Sequence, residues 1–160
     1  MKFKRPTKRL VIYALAATIV VGLVIVGVIL LRSNPDEPSY STVKPANTSI
    51  SDLGGWKRVS PVDSNPVFAY SDTLDSVSIS VSQQPLPPSF KDNESTKVAE
   101  LAQSYNASNK LDAHGTAVYI GDSAKGPQSV IFTKDGLLIL IKSQQKVSNE
   151  SWIRYINSLN

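Results

Sequence analysis

The sequence predicts an α+β protein: an N-terminal transmembrane helix, then a mostly antiparallel sheet with two packed helices. Three observations carry this. Residues 10–31, LVIYALAATIVVGLVIVGVILL, hold no charge and no proline. The run 76–82, SVSISVS, alternates polar and apolar, and Asp135-Gly136 stands between two further apolar runs; these are a strand signature and a hairpin signature. Two other stretches, 93–105 and 148–159, place apolar residues at helical spacing instead. Strands grouped in hairpins and set apart from the helices make an α+β domain.

In chain order, the first element is a tail, residues 1–9, with Lys2, Lys4, Arg5, Lys8 and Arg9 and no acidic residue. The apolar run that follows would make a helix of roughly 33 Å, enough for a hydrocarbon core of about 30 Å. A cleaved signal peptide fits less well, because its apolar region is shorter and ends in a small-x-small site, whereas this run ends in Leu30-Leu31-Arg32. Basic residues before the span, against Arg32 with Asp36 and Glu37 after it, place the N-terminus in the cytoplasm and the C-terminal domain outside. The expected location is the cytoplasmic membrane, with the lipid bilayer as partner of residues 10–31. Ala14, Thr18 and Gly22 share one helix face, a small-residue stripe that suits pairing with a second copy.

Residues 32–50 are rich in Pro, Ser and Thr without apolar periodicity, and read as a linker that extends up to ~50 Å. The folded domain is expected over 51–160. Short strands are predicted at 56–59 and 67–71, then the alternating strand 76–82, with the turn before it at Leu74-Asp75. The prolines of 84–88 end that run. A helix capped by Asp92 or Asn93 carries Val98, Leu101, Ala102 and Tyr105 on one face. Strands 110–113 and 116–121 flank His114-Gly115, and 128–133 and 137–141 flank 134–136. The last of these is apolar on both faces and should be central. A final helix from Ser148 or Asn149 packs through Trp152, Ile156 and Leu159. The order of strands in the sheet stays open.

Composition narrows the chemistry. The net charge is +4, but residues 51–160 contain ten Lys and Arg against eleven Asp and Glu. The folded part is therefore near neutral, with no excess to neutralise phosphates, and nucleic acid is not an expected partner. The chain has no cysteine, which excludes disulfides, a thiolate nucleophile and lipoprotein acylation. Extracellular domains of this size often carry disulfides, so their absence leans toward a bacterial envelope protein.

The motif-like fragments have simpler readings. His114 is the single histidine and sits at a predicted turn, without the partners of a metal cluster or a triad. Ser41-Thr42-Val43-Lys44 matches S-x-x-K but lacks the downstream Lys-Thr-Gly. Residues 121–126 join two strands, unlike a phosphate-binding loop. Asp72 and Asp75 would be an acid/base pair only if a cleft held them, and turns collect Asp for backbone reasons. Asn47, Asn93, Asn106 and Asn149 lie in Asn-x-Ser/Thr sequences, relevant only on a eukaryotic secretory route. The aromatic residues fall at core-like spacings. No catalytic, cofactor-binding or metal residue is expected, and no cofactor.

The stretches GWKRVSP, NPVFAYSDTLDSVSISVSQQPLP and AVYIGDSAKGPQSVIFTKDGLLILIKS, with the terminal WIRYINSL, resemble small single-pass proteins of Patescibacteria, of the Saccharibacteria type. The resemblance covers most of residues 54–159 with the basic tail and anchor. More distantly, the chain is similar to bacterial extracytoplasmic domains of unknown function. The resemblance implies source and location and brings no catalytic residues. The expected function is a binding or interaction module at the cell envelope, taking a protein or other envelope ligand. The alternatives are an envelope enzyme working through carboxylates and hydroxyls, and an anti-sigma-like membrane regulator. The regulator ranks last because a nine-residue tail is too short to enclose a sigma factor.

Overall fold

The computed structural model describes residues 37–124 and 126–160. The predicted tail, the span at 10–31 with its Ala14, Thr18 and Gly22 face, and residues 32–36 lie outside the described residues. Among the described residues no helix is long and apolar enough to cross a membrane.

The described residues form a seven-stranded antiparallel sheet with two helices. The strands are β1 (Lys57–Arg58), β2 (Phe68–Leu74), β3 (Val77–Pro85), β4 (Asn109–Ala113), β5 (Thr116–Asp122), β6 (Gln128–Lys134) and β7 (Leu137–Ser143). Helix α1 (Glu94–Ser104) lies between β3 and β4, after a 3₁₀ turn at Pro88–Phe90, and α2 (Asn149–Ser158) follows β7. The sheet order is β1-β2-β3-β7-β6-β5-β4. Two meanders, β1–β3 and β4–β7, thus meet through their last strands, with Val81 opposite Ile141 and Pro85 opposite Leu137. Strand β7 is the middle strand, as its two-sided apolarity predicts.

Three two-residue hairpin turns have both central residues at positive φ: Asp75 and Ser76, His114 and Gly115, Asp135 and Gly136. That geometry matches the right-handed twist of the strands they join. The two glycine-containing turns fall at their predicted places. The first falls one residue later than Leu74-Asp75, because Ser76 takes the left-handed conformation without glycine's sequence signal. Asn93 occupies the N-cap of α1, but its side chain makes no capping hydrogen bond. At α2, Ser148 does cap, accepting from the Ser151 amide at 3.2 Å.

The linker boundary at residue 50 moves toward the N-terminus. Val43 is buried, and the amide and carbonyl of Lys44 bond the carbonyl and amide of Asn160 at 3.0 and 2.9 Å. Ala46 donates to the Ser158 carbonyl at 2.7 Å, and Tyr40 and Ile50 pack on the same core. This strap, residues 40–50, has no period to betray it. Its burial comes from single apolar residues, and Lys44 and Ala46 between and beside them pair with the chain at the end of α2.

One face of the sheet carries the main core. Ile79, Val81, Val118, Ile120, Val130, Phe132, Ile139 and Ile141 meet Trp152 and Ile156 of α2, Leu159 just after it, Val43 of the strap and Leu53. On the other face α1 sets Val98 and Ala102 against Ile131 and Leu138. Gly121 admits the end of α1: a Cβ there would lie 2.7 Å from the Tyr105 carbonyl oxygen and 2.9 Å from the Ala107 nitrogen. No side chain fits that approach.

Candidate functional site

Helix α1 does not cover its whole face of the sheet. It packs over β5 and β6, while the β2–β3 side keeps Ser71, Thr73, Ser78 and Ser80 exposed. The serines of SVSISVS face water there, as their alternation predicts. Where the apolar covered half meets this polar open half, a groove of about 370 Å³ runs along the sheet. Its floor comes from Ile131, Leu138 and Leu140 of the central strands, and its wall from Phe90, Leu101 and Tyr105. Ser82 and Gln84 add polar groups on the β3 side, and among the described residues no charged side chain lines it. The volume lies within the range of small-ligand sites, and the mix of apolar lining with a few polar groups is typical of them. Tyr105 remains 38% exposed at its rim. A smaller, more polar hollow of about 240 Å³ also touches Tyr105, against Asn106, Asp122, Ser129 and Lys142.

The sequence did not point to this groove. Phe90 follows a run of prolines, and Leu101 and Tyr105 read as core positions of an amphipathic helix. Only the unequal width of helix and sheet exposes them.

Of the residues weighed from sequence, His114 is exposed at its turn, where the Gly115 amide bonds Asp112 Oδ1 at 2.8 Å. Lys44 of the S-x-x-K match sits in the strap. Asp72 lies within β2, not in the turn, and Asp75 lies in the turn. Both bind α2: the Tyr155 hydroxyl donates to Asp72 Oδ2 at 2.9 Å, and the Ser151 hydroxyl donates to Asp75. Arg154 stands 3.9 Å from Asp75 Oδ1 and donates to Ser151 Oγ at 2.9 Å. The two carboxylates thus fasten the β2–β3 hairpin to α2. Among the described residues no three His, Asp or Glu side chains gather as a metal site.

Two further polar side chains hold the fold from within. Gln83, fully buried, accepts from the Val43 amide at 2.8 Å and donates to the Val43 carbonyl at 2.7 Å. Gln128 Oε1 accepts from the Val147 amide at 2.7 Å and from Trp152 Nε1 at 3.0 Å, while its Nε2 donates to Asp122 at 2.7 Å. Each glutamine gives an irregular crossing segment the hydrogen bonds that a neighbouring strand would give. Glutamine on a strand carries no such signal in sequence.

Tyr70 and Tyr155 meet with hydroxyls 3.4 Å apart, beside Asp72. Burial pushes both hydroxyls above the ordinary 10.0, and for Tyr155 the neighbouring Tyr70 and Asp72 add to the rise. A raised folded pKa means that stability is complete below pH 10 and falls as pH climbs toward the folded values. Each such tyrosine contributes a slope of up to about 1.4 kcal/mol per pH unit in that window. Denaturant midpoints measured from pH 8 upward are expected to fall beyond pH 10, and Tyr155→Phe should make that fall shallower than in the parent.

No family model, no curated protein and no solved structure matches the chain.

Proposed function

We propose that the chain is a membrane-anchored binding module displayed outside the cytoplasmic membrane, and that the groove beside α1 is its binding site. The carrying observation is the groove itself: an apolar channel on a central part of the sheet, left open where the helix stops short. An apolar group entering it would bury aliphatic and aromatic surface, worth about 25 cal/mol per Å² removed from water. Ser82, Gln84 and Tyr105 would orient a polar end. The uncharged apolar run at residues 10–31, with five basic residues before it, supports the anchor and its direction.

Two measurements test the two halves. The chain lacks cysteine, so Ser64→Cys gives a single thiol on an exposed loop. A membrane-impermeant maleimide should label it in intact cells; labelling only after lysis would place the domain inside. Residues 37–160 titrated with dodecanol should show saturable NMR shifts of the Val67, Leu101 and Leu140 methyl groups. Shifts that never saturate would remove the groove as a site.

A further inference from the structure

We infer that the groove's occupant is the acyl chain of a lipid drawn from the bilayer that holds the anchor; this rests on the anchored, groove-binding reading above. The lining argues against a charged occupant and against an added strand. Among the described residues no charged side chain lines the groove, so neither a carboxylate nor a phosphate finds a counter-charge inside it, and a lipid headgroup stays at the mouth. A peptide added as a further strand would need a free strand edge for its backbone. The strands under the groove offer none, because β3 is paired by β2 and β7, β7 by β3 and β6, and β6 by β7 and β5. An aliphatic chain needs no hydrogen bonds, and matches the walls formed by Phe90, Leu101 and Leu140.

The position of the strap points the same way. The Tyr40 hydroxyl donates to the Gln83 carbonyl at 2.6 Å and accepts from the Phe68 amide at 3.3 Å. Phe68 and Gln83 are opposed residues near the end of the β2–β3 ladder, adjacent in sequence to Val67 and Gln84 of the groove. The chain therefore docks beside the groove end formed by Val67, Pro87 and Phe90. Only residues 32–39 separate Leu31 from Tyr40, and eight residues reach at most about 29 Å when fully extended. On the anchored reading, that length is the upper bound on the chain between the span and Tyr40. The same end carries an apolar tip: Val62 is 81% exposed on a loop braced by Arg58, whose Nη2 donates to the carbonyls of Pro61, Val62 and Ser64 at 3.0–3.1 Å.

The test uses the full chain reconstituted in phosphatidylcholine vesicles doped with phosphatidylcholine bearing a diazirine near the end of one acyl chain. After photolysis and digestion, adducts should appear on the peptides containing Phe90, Leu101 and Leu140 as well as on residues 10–31. Leu140→Gln should lower the groove adducts about tenfold, the loss expected when one aliphatic contact is replaced by an amide, and leave those on 10–31 unchanged. Leu101→Gln, on the opposite wall and half-buried, should do the same and guards against a folding defect in the first variant. Moving the diazirine to the headgroup should shift labelling out of the groove. Equal groove labelling by head and tail probes would mean surface adhesion and would overturn the inference. Adducts confined to 10–31 would overturn it too. If dodecanol then still shifts the groove methyl groups, the groove takes an apolar side chain of a protein instead; if dodecanol fails as well, the binding site itself is lost.

Discussion

Trp152→Ala is expected to cost about 3–5 kcal/mol, the range for removing a large aromatic side chain from a packed core. Trp152 has no exposed surface and lies where α2 crosses the sheet, within the cluster that includes Phe132 and Ile139. Its Nε1 also donates to Gln128 Oε1 at 3.0 Å. Trp152→Phe separates the two roles. It keeps most of the ring volume and loses the hydrogen bond, for an expected loss of about 1–2 kcal/mol. A domain of this size has a total stability of about 5–15 kcal/mol, so the alanine variant consumes a large share. Denaturant unfolding checks both, with Trp56 as the remaining fluorophore. Trp56 packs edge-on against Tyr70, centroids 5.3 Å apart, so it reports on the same core. A loss below 1 kcal/mol for the alanine variant would mean that α2 is not docked as described.

Gln83→Leu should cost about 2–5 kcal/mol, although leucine is the more apolar residue. The amide fills two backbone needs at once, the N–H and the C=O of Val43. Leucine leaves both without partners in a buried place, at about 1–3 kcal/mol each. The strap can regain water for those groups only by lifting from the sheet, which uncovers Val43 and weakens the pairing of Lys44 with Asn160. The variant thus has a local signature as well as a global one. Hydrogen exchange at the amides of Val43, Lys44 and Ala46 should accelerate far more than exchange at Val81 or Ile141. Uniform acceleration would mean that the strap does not open by itself.

The regular parts of this fold are legible because their burial is periodic. The alternation of Val77, Ile79 and Val81, the helical spacing of Val98, Leu101 and Ala102, and Asp135-Gly136 each state a conformation within a few residues. The two-sided apolarity of 137–141 even announces the middle of the sheet. Strand order is silent, since the pairing of β3 with β7 joins residues about sixty apart in the chain and no turn residue encodes it. The strap is silent for another reason. Tyr40, Val43 and Pro45 are single contacts in a Pro- and Ser-rich stretch, and composition describes such a stretch as a spacer. The groove is hidden too, because a helix narrower than the face beneath it leaves no trace in the periodicity of either. Asp72 and Asp75 invited a catalytic reading; their partners Tyr155 and Ser151 lie more than seventy residues on and give them a structural task.

Because residues 43–46 are held by residues 158–160, and β3 by β7, the order of synthesis matters. As the chain leaves the ribosome, β1–β3 can form a meander early, yet the inner edge of β3 stays open until β7 has been made. An open apolar strand edge invites pairing with other chains. The strap waits longer still, until the residues after Ser158 are free to receive it. A nascent chain of this kind joins its two meanders only when β7 has been made, and closes its strap after that.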